Sequence, residues 1–189
     1  MHEAPDRLFR RLAKLRPDVL RAPPSILVAI MQELRSGGSP LRPRLVFTTS
    51  ERLDEETRTA LAAAFAAPIR DLYGATEAGC IGWRCPRCDA YHVNSDTVLV
   101  EVLRKGAPSR PGDPGEVVVT NLFSRTMPFV RYALGDLAVL GFPCPDAPGC
   151  VTLHSLQGRS FGPRVGVDGS ALSPYRFMPD EIEGIAAEA

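Results

Sequence analysis

The chain has 189 residues, 44% of them apolar, and its 22 basic side chains balance 22 acidic ones, which suits one generous globular domain or two small ones. No block of Lys or Arg favours nucleic acid or an anionic membrane surface. The longest apolar run, Ala60–Ala67, is too short to cross a bilayer and the N-terminus is charged where a signal peptide would be apolar, so a cytoplasmic protein is expected.

Leu8, Leu12 and Leu15 recur at helical spacing among basic residues and predict an amphipathic helix that stops at Pro17. Asp18–Ala22 reads as a buried strand. Pro23-Pro24-Ser25 then opens a second helix through Ile26, Ile30, Met31 and Leu34, stopping at Gly37-Gly38. A strand over Arg44–Thr49 is followed by a third helix capped by Asp54, with Glu55 and Glu56 in its first turn, running to Phe65. Pro68–Leu72 is the third strand. Strands alternating with helices of this length imply right-handed crossovers and a mainly parallel sheet, with the loop at Tyr73 at a strand's carboxyl end, where ligands collect in open α/β sheets.

Beyond Glu77 the pattern becomes β-rich. Val98, Val100 and Val102 alternate with their neighbours, a Pro/Gly-rich turn fills Arg104–Gly115, and Glu116–Leu122 is a second strand. Further short strands are predicted at Met127–Tyr132, Leu137–Leu140, Val151–Leu156 and Arg164–Val167. The expected division is an α/β unit over 1–79, a β-rich unit over 80–178, and the start of a further segment over 179–189.

Two stretches carry chemistry. In Asp71-Leu-Tyr-Gly-Ala-Thr-Glu-Ala-Gly79 an apolar run reaches Tyr73, Gly74 lets the backbone turn, and Thr76 and Glu77 set a hydroxyl beside a carboxylate. A hydroxyl can donate to phosphate, a carboxylate can hold Mg²⁺, and an aromatic face can take a base. The second stretch is Cys85-Pro-Arg-Cys88, a C-x-x-C turn of the zinc-knuckle kind. With Cys144 and Cys150 in a later Pro/Gly-rich loop it offers four soft ligands for a structural Zn²⁺, His92 being an alternative to one of them. Free thiols in loops, or a redox C-x-x-C, are the other readings.

Tyr73-Gly74-Ala75-Thr76-Glu77, Gly115-Glu116-Val117-Val118-Val119-Thr120, Arg131-Tyr132-Ala133-Leu134-Gly135-Asp136 and Gly158-Arg159-Ser160 occur in that order. Together they resemble successive core motifs of the adenylate-forming enzymes, and the match is nearest the phenylacetate–coenzyme A ligase branch. Arg16-Pro17-Asp18-Val19-Leu20, Pro23-Pro24-Ser25 and the small-small-Glu turn Thr49-Ser50-Glu51 agree with it. The resemblance implies a distorted, barrel-like β-rich half. It also implies that Tyr73 stacks on adenine with Glu51 and Gly74 beside the nucleotide, that Thr76 binds the α-phosphate and that Glu77 helps hold Mg²⁺. Asp136 would accept from the ribose hydroxyls and Arg159 would add charge near ribose and phosphate. Pro24, Ala78, Gly79 and Cys80 would line an acyl pocket, Cys80 as a small wall more than as a nucleophile. Relatives of that branch often carry Cys and His where the two cysteine clusters fall.

The activity so implied is ATP-dependent activation of an aryl or acyl carboxylate as an adenylate, then transfer to a thiol, usually coenzyme A, with ATP or AMP, Mg²⁺, coenzyme A and structural Zn²⁺ as cofactors. A non-catalytic nucleotide-binding or zinc-stabilised interaction module is the alternative. Within these residues the family's phosphate loop and its mobile-domain lysine have no counterpart, so an incomplete core, inactive or very weak by itself, is expected. A homodimer or a complementing chain stays open as its partner.

Overall fold

The computed structural model describes residues 5–36, 41–159, 164–165 and 171–172. Helix α1, Pro5–Leu15, buries Phe9 and half-buries Leu8 and Leu12, whereas Leu15 is 70% exposed, because the chain leaves the helix there with Arg16 in a left-handed conformation (φ 46°). Strand β1 is Val19–Ala22. Helix α2, Pro24–Arg35, places proline at its first turn, where no amide is needed. The expected stop at Gly37-Gly38 lies outside the described residues. Strand β2 is Leu45–Thr48, and helix α3 is Glu55–Phe65. Asp54 caps α3, accepting from the Thr57 amide at 2.7 Å and the Thr57 hydroxyl at 2.9 Å.

Strand β3, Ile69–Ala75, runs parallel to β2, which runs parallel to β1. From here every pairing is antiparallel. Strands β4 (Gly79–Arg84), β5 (Tyr91–Val93), β6 (Val98–Arg104), β7 (Ala107–Pro108), β8 (Pro114–Asn121), β9 (Tyr132–Leu140) and β10 (Thr152–Arg159) complete a ten-stranded open sheet in the order β1-β2-β3-β4-β5-β10-β9-β8-β6-β7. Strands β11 (Arg164–Val165) and β12 (Ala171–Leu172) form a separate pair. The chain is therefore mixed α/β, with its parallel part confined to the first three strands.

Three details differ from the sequence reading. Met127–Arg131 is not strand: Pro128 has no amide to give a ladder, and Arg131 takes φ 47°, so β9 starts only at Tyr132. Strand β3 continues through Tyr73 and Gly74 to Ala75, so these residues lie on a strand and not on a loop. Strands β4 and β5 were not expected at all. Residues 166 and 167 of the predicted last strand, Ser160, and the segment 179–189 lie outside the described residues.

Two apolar cores flank the long strand β3. Residues 9–69 build one around Leu27, Leu61 and Phe65, each fully buried. Residues 73–153 build the other around Ile81, Val98, Val117, Val119 and Leu153. Full burial of each such side chain stabilises the fold by about 1.5–3 kcal/mol relative to exposure.

Candidate functional site

Alternation along β3 turns Ile69, Asp71 and Tyr73 inward. Asp71 is opposite Thr48 of β2, whose hydroxyl donates to Asp71 Oδ1 at 2.5 Å, while the hydroxyl of Tyr91 donates to Oδ2. Burial pushes the Asp71 carboxyl above the usual carboxylate value, although the two hydroxyls and the nearby Arg84 charge pull it down. Two residues on, the buried Tyr73 ring packs edge-on against Tyr91, with centroids 6.4 Å apart, and its hydroxyl donates to Asp136 Oδ2 at 2.7 Å. Asp136 stands on β9 opposite Arg159 of β10, and Arg159 Nε lies 2.9 Å from Asp136 Oδ1. Gly135, at φ 75°, supplies the irregular backbone just before Asp136, in a conformation that side chains resist.

These groups line a cavity of about 400 Å³. Its walls are the turn Ser50–Glu55, the segment Asp71–Gly74, Arg84 and Tyr91, Asp136, and the β10 residues His154, Ser155, Leu156, Gly158 and Arg159. Glu51, Tyr73, Gly74, Asp136 and Arg159, expected from the sequence to face a nucleotide, thus meet at one cavity from four separated segments. Glu51 does so while its carboxylate is engaged elsewhere: Ser25 donates its amide at 3.0 Å and its hydroxyl at 2.7 Å, satisfying the first turn of α2.

Other expected residues fall outside the lining. Thr76 is exposed in the turn after β3, and Glu77 is half-buried beside it, its carboxylate 3.5 Å from the Tyr132 hydroxyl and its carbonyl accepting from Asn121. The acyl-pocket set Pro24, Ala78, Gly79 and Cys80 does not line the cavity. Pro24 is buried at the start of α2, and Ala78 is turned into the second core by its amide bond to the Ala75 carbonyl. Gly79 opens β4 at φ 69°, and the half-buried Cys80 directs its thiol at the Gly82 carbonyl. Reasoning from sequence missed Asp71, Arg84, Tyr91 and His154 as lining residues. Asp71 alone carried a signal, an acid in a buried strand two positions before Tyr73.

The family model for AMP-binding enzymes matches residues 1–122. The chain belongs to the AMP-binding enzyme family. No curated protein matches it at the level of sequence. Among solved structures it resembles the open conformation of 2-hydroxyisobutyryl-CoA ligase in complex with 2-HIB-AMP and CoA, with a TM-score of 0.74 at 18% identity over 100% of this chain and 46% of that one. It also resembles the anthranilate CoA ligase in complex with anthranoyl-AMP, with a TM-score of 0.63 at 16% identity over 88% of this chain and 35% of that one. A long-chain-fatty-acid-CoA ligase from Archaeoglobus fulgidus gives a TM-score of 0.60 at 16% identity over 82% and 37%. At such identities the likeness is one of fold, and the chain spans less than half the length of these structures.

This member of the AMP-binding enzyme family has a second group of converging side chains. The ligating atoms of Cys85, Cys88, His92 and Cys144 all lie within 4.8 Å of one another, with Cys88 Sγ 3.3 Å from His92 Nε2. Of the four cysteines expected to converge, Cys150 is not in the cluster, and His92, the alternative named for one of them, stands in its place. Cys150 follows a turn in which its amide bonds to the Ala147 carbonyl, and its thiol faces the carbonyls of Val93 and Val151. His92 is carried in by β5, whose register sets it opposite Trp83, the two rings 4.9 Å apart. An ion pair of 2.6 Å between Arg87 and Asp146 joins the two cysteine loops.

Three thiols and an imidazole are the donor types of a Cys₃His zinc set. Burial raises the Cys85 thiol, but the amides of Cys88 and Arg87 and the neighbouring thiols outweigh it and bring the group below its ordinary value. Burial, with the thiols of Cys144 and Cys85, pushes Cys88 up to about 11. One thiolate favoured ahead of the others, with amides aimed at its sulfur, is the arrangement that a soft cation completes.

Proposed function

We propose that the cavity holds the adenosine end of ATP and that the protein serves carboxylate activation. In that reaction a carboxylate oxygen attacks the α-phosphorus, the bond to the bridging oxygen breaks, and pyrophosphate leaves. A thiol then attacks the acyl carbon and displaces AMP. The observation that supports this is the convergence of Glu51, Tyr73, Gly74, Asp136 and Arg159 on one cavity. Asp136, held by Tyr73 and Arg159, keeps lone pairs for ribose hydroxyls. The Tyr73 segment walls the base, and Arg159 brings positive charge to the ribose side.

Thr76 and Glu77 stand at the turn beyond this wall, as the α-phosphate donor and a magnesium ligand, the cation supplying positive charge to the phosphates. Support for a thiol acceptor such as coenzyme A comes from the relatives, whose complexes hold 2-HIB-AMP with CoA and anthranoyl-AMP. The aryl preference rests on the phenylacetate–coenzyme A ligase resemblance. In the same proposal Cys85, Cys88, His92 and Cys144 hold one structural Zn²⁺.

Calorimetry with AMP and ATP tests the nucleotide assignment. The contacts proposed are to base and ribose, so AMP is expected to bind about as well as ATP and Asp136→Ala to weaken both by a similar factor. Unchanged AMP binding by Asp136→Ala refutes it. A non-catalytic nucleotide-binding role is the second reading, favoured by the position of Thr76 and Glu77 outside the cavity lining. Pyrophosphate release with ATP, Mg²⁺ and a panel of aryl and short acyl acids, abolished by Glu77→Ala, separates the two.

A further inference from the structure

The cysteine–histidine cluster and the cavity are served by adjacent residues of one very short strand. Strand β5 has three residues, all buried, and lies between β4 and β10 in the sheet. Neighbouring side chains on a strand point to opposite faces. Here Tyr91 reaches Asp71 in the cavity wall, while His92 joins Cys85, Cys88 and Cys144. Ladder partners hold the strand on both sides: Gly82, Trp83 and Arg84 of β4 oppose Val93, His92 and Tyr91, and Thr152 and Leu153 of β10 oppose His92 and Tyr91. Strand β10 in turn supplies one wall of the cavity.

A second connection starts in the same loop. Asp89 lies between Cys88 and His92, at φ 56°, and grips the guanidinium of Arg84 through two hydrogen bonds of 2.9 and 2.8 Å. Arg84 lines the cavity. Thus the segment bounded by Cys85 and His92 sends the Tyr91 hydroxyl to the cavity and, through Asp89, holds the guanidinium of Arg84 from β4 there, while it carries Cys85, Cys88 and His92 to the cluster.

We propose that metal binding at Cys85, Cys88, His92 and Cys144 is coupled to nucleotide binding through β5, with Tyr91 as the positioning residue. The coupling rests on the proposed zinc site and nucleotide cavity. A soft divalent cation bound by all four side chains locks His92 in the cluster, and the peptide unit it shares with Tyr91 then fixes Tyr91, whose hydroxyl holds Asp71 in the cavity wall. Without the cation the segment loses the restraint of the cluster and keeps its ladder bonds, the Asp89–Arg84 pair and the Tyr91–Asp71 hydrogen bond, so Tyr91 and Arg84 are held less firmly. Nucleotide then binds a wall that it must first order, at lower affinity. Linkage makes the effect reciprocal: nucleotide tightens the hold on metal by the same factor.

The experiment measures AMP affinity by calorimetry for the 189-residue protein loaded with one equivalent of zinc and after chelation, in wild type and in Tyr91→Phe. Chelation is expected to weaken AMP binding by wild type about 5-fold or more. Tyr91→Phe, with zinc content unchanged, is expected to bind AMP more weakly than loaded wild type and to respond little to chelation. Zinc affinity is measured in parallel by competition with a chromophoric chelator, with and without saturating AMP. It is expected to rise with AMP by the matching factor in wild type and not in Tyr91→Phe, and this arm holds even where metal-free protein unfolds. One zinc per chain with AMP affinity and zinc affinity mutually independent overturns the coupling and leaves both sites standing. A zinc content near zero overturns the metal site and the coupling with it, and absence of AMP binding by loaded protein overturns the cavity assignment.

Discussion

Glu51 spends both carboxylate oxygens on Ser25, one on its amide and one on its hydroxyl, across 26 positions of sequence. Helix α2 begins with Pro23 and Pro24 and has no side-chain cap of its own, so this remote carboxylate takes the place of one and also meets the positive end of the helix dipole. Glu51→Ala is expected to lower stability by about 1 kcal/mol, the ordinary value of a lost cap. AMP affinity should fall less than in Asp136→Ala, because the proposed ribose contacts are made by Asp136 and not by Glu51, whose carboxylate serves the start of α2. Urea denaturation beside calorimetry reads both quantities.

The pH dependence of stability carries a signature of Asp71. Burial holds its carboxyl above the ordinary value of 3.8. A carboxyl raised in the folded state contributes stability that is full below the unfolded value and is lost as pH climbs through the folded one. The stability of wild type relative to Asp71→Asn is therefore expected to decline as pH rises from about 4 toward neutrality. Urea midpoints across that range check it, and a difference that grew with pH would mean that Thr48, Tyr91 and Arg84 outweigh burial.

Cys144 and Cys150 lie in one loop yet should behave differently. Cys144→Ser is expected to lose zinc and loosen the second core, whereas Cys150→Ser keeps about one zinc per chain, since only Cys144 approaches Cys85, Cys88 and His92. Metal analysis of protein purified without added zinc, with melting curves before and after chelation, distinguishes them. Equal zinc contents in the two variants would place the ligands wrongly.

Gly82 is the position where β4 tolerates least. A Cβ added there would sit 2.5 Å from the His92 carbonyl oxygen, a backbone atom that cannot swing aside. Gly82→Ala is expected to cost about 1–3 kcal/mol, as overpacking does, and to lower zinc affinity because it pushes His92 away from the cysteines. Denaturation midpoints and zinc competition measure the two effects.

What was legible in the sequence had local causes. Helix α3 announces itself through Asp54 and the acids that follow, and β6 through strict alternation of valines. Strands β4 and β5 were hidden because Gly79 and Gly82 interrupt the alternation of the first, while the second is three residues long and wholly buried, with no exposed position to mark an alternation. The cavity residues that motifs name, Tyr73, Asp136 and Arg159, were found; Tyr91 was not, because its contact with Asp71 exists only once β5 is inserted between β4 and β10. The exchange of Cys150 for His92 has the same origin. Spacing of cysteines showed which loops approach, but strand register decided which side chains arrive.

Strand β3 places Ile69 in one core and Tyr73 in the other, and this sets an order of assembly. Everything the first core needs has been synthesised by Ala75, and its strands are joined through short helical crossovers. The second core cannot close until Leu153 reaches Tyr91, a pairing across 62 positions, and closing so long a loop is slow. During refolding, pulse-labelled amides around Leu61 and Phe65 should gain protection before those of Val98 and Leu153. Until then β5, which bears Tyr91, is paired on its β4 side only and stands as an uncovered edge on the other, so a nascent chain halted before β10 presents this part of the cavity wall as a site for intermolecular strand addition.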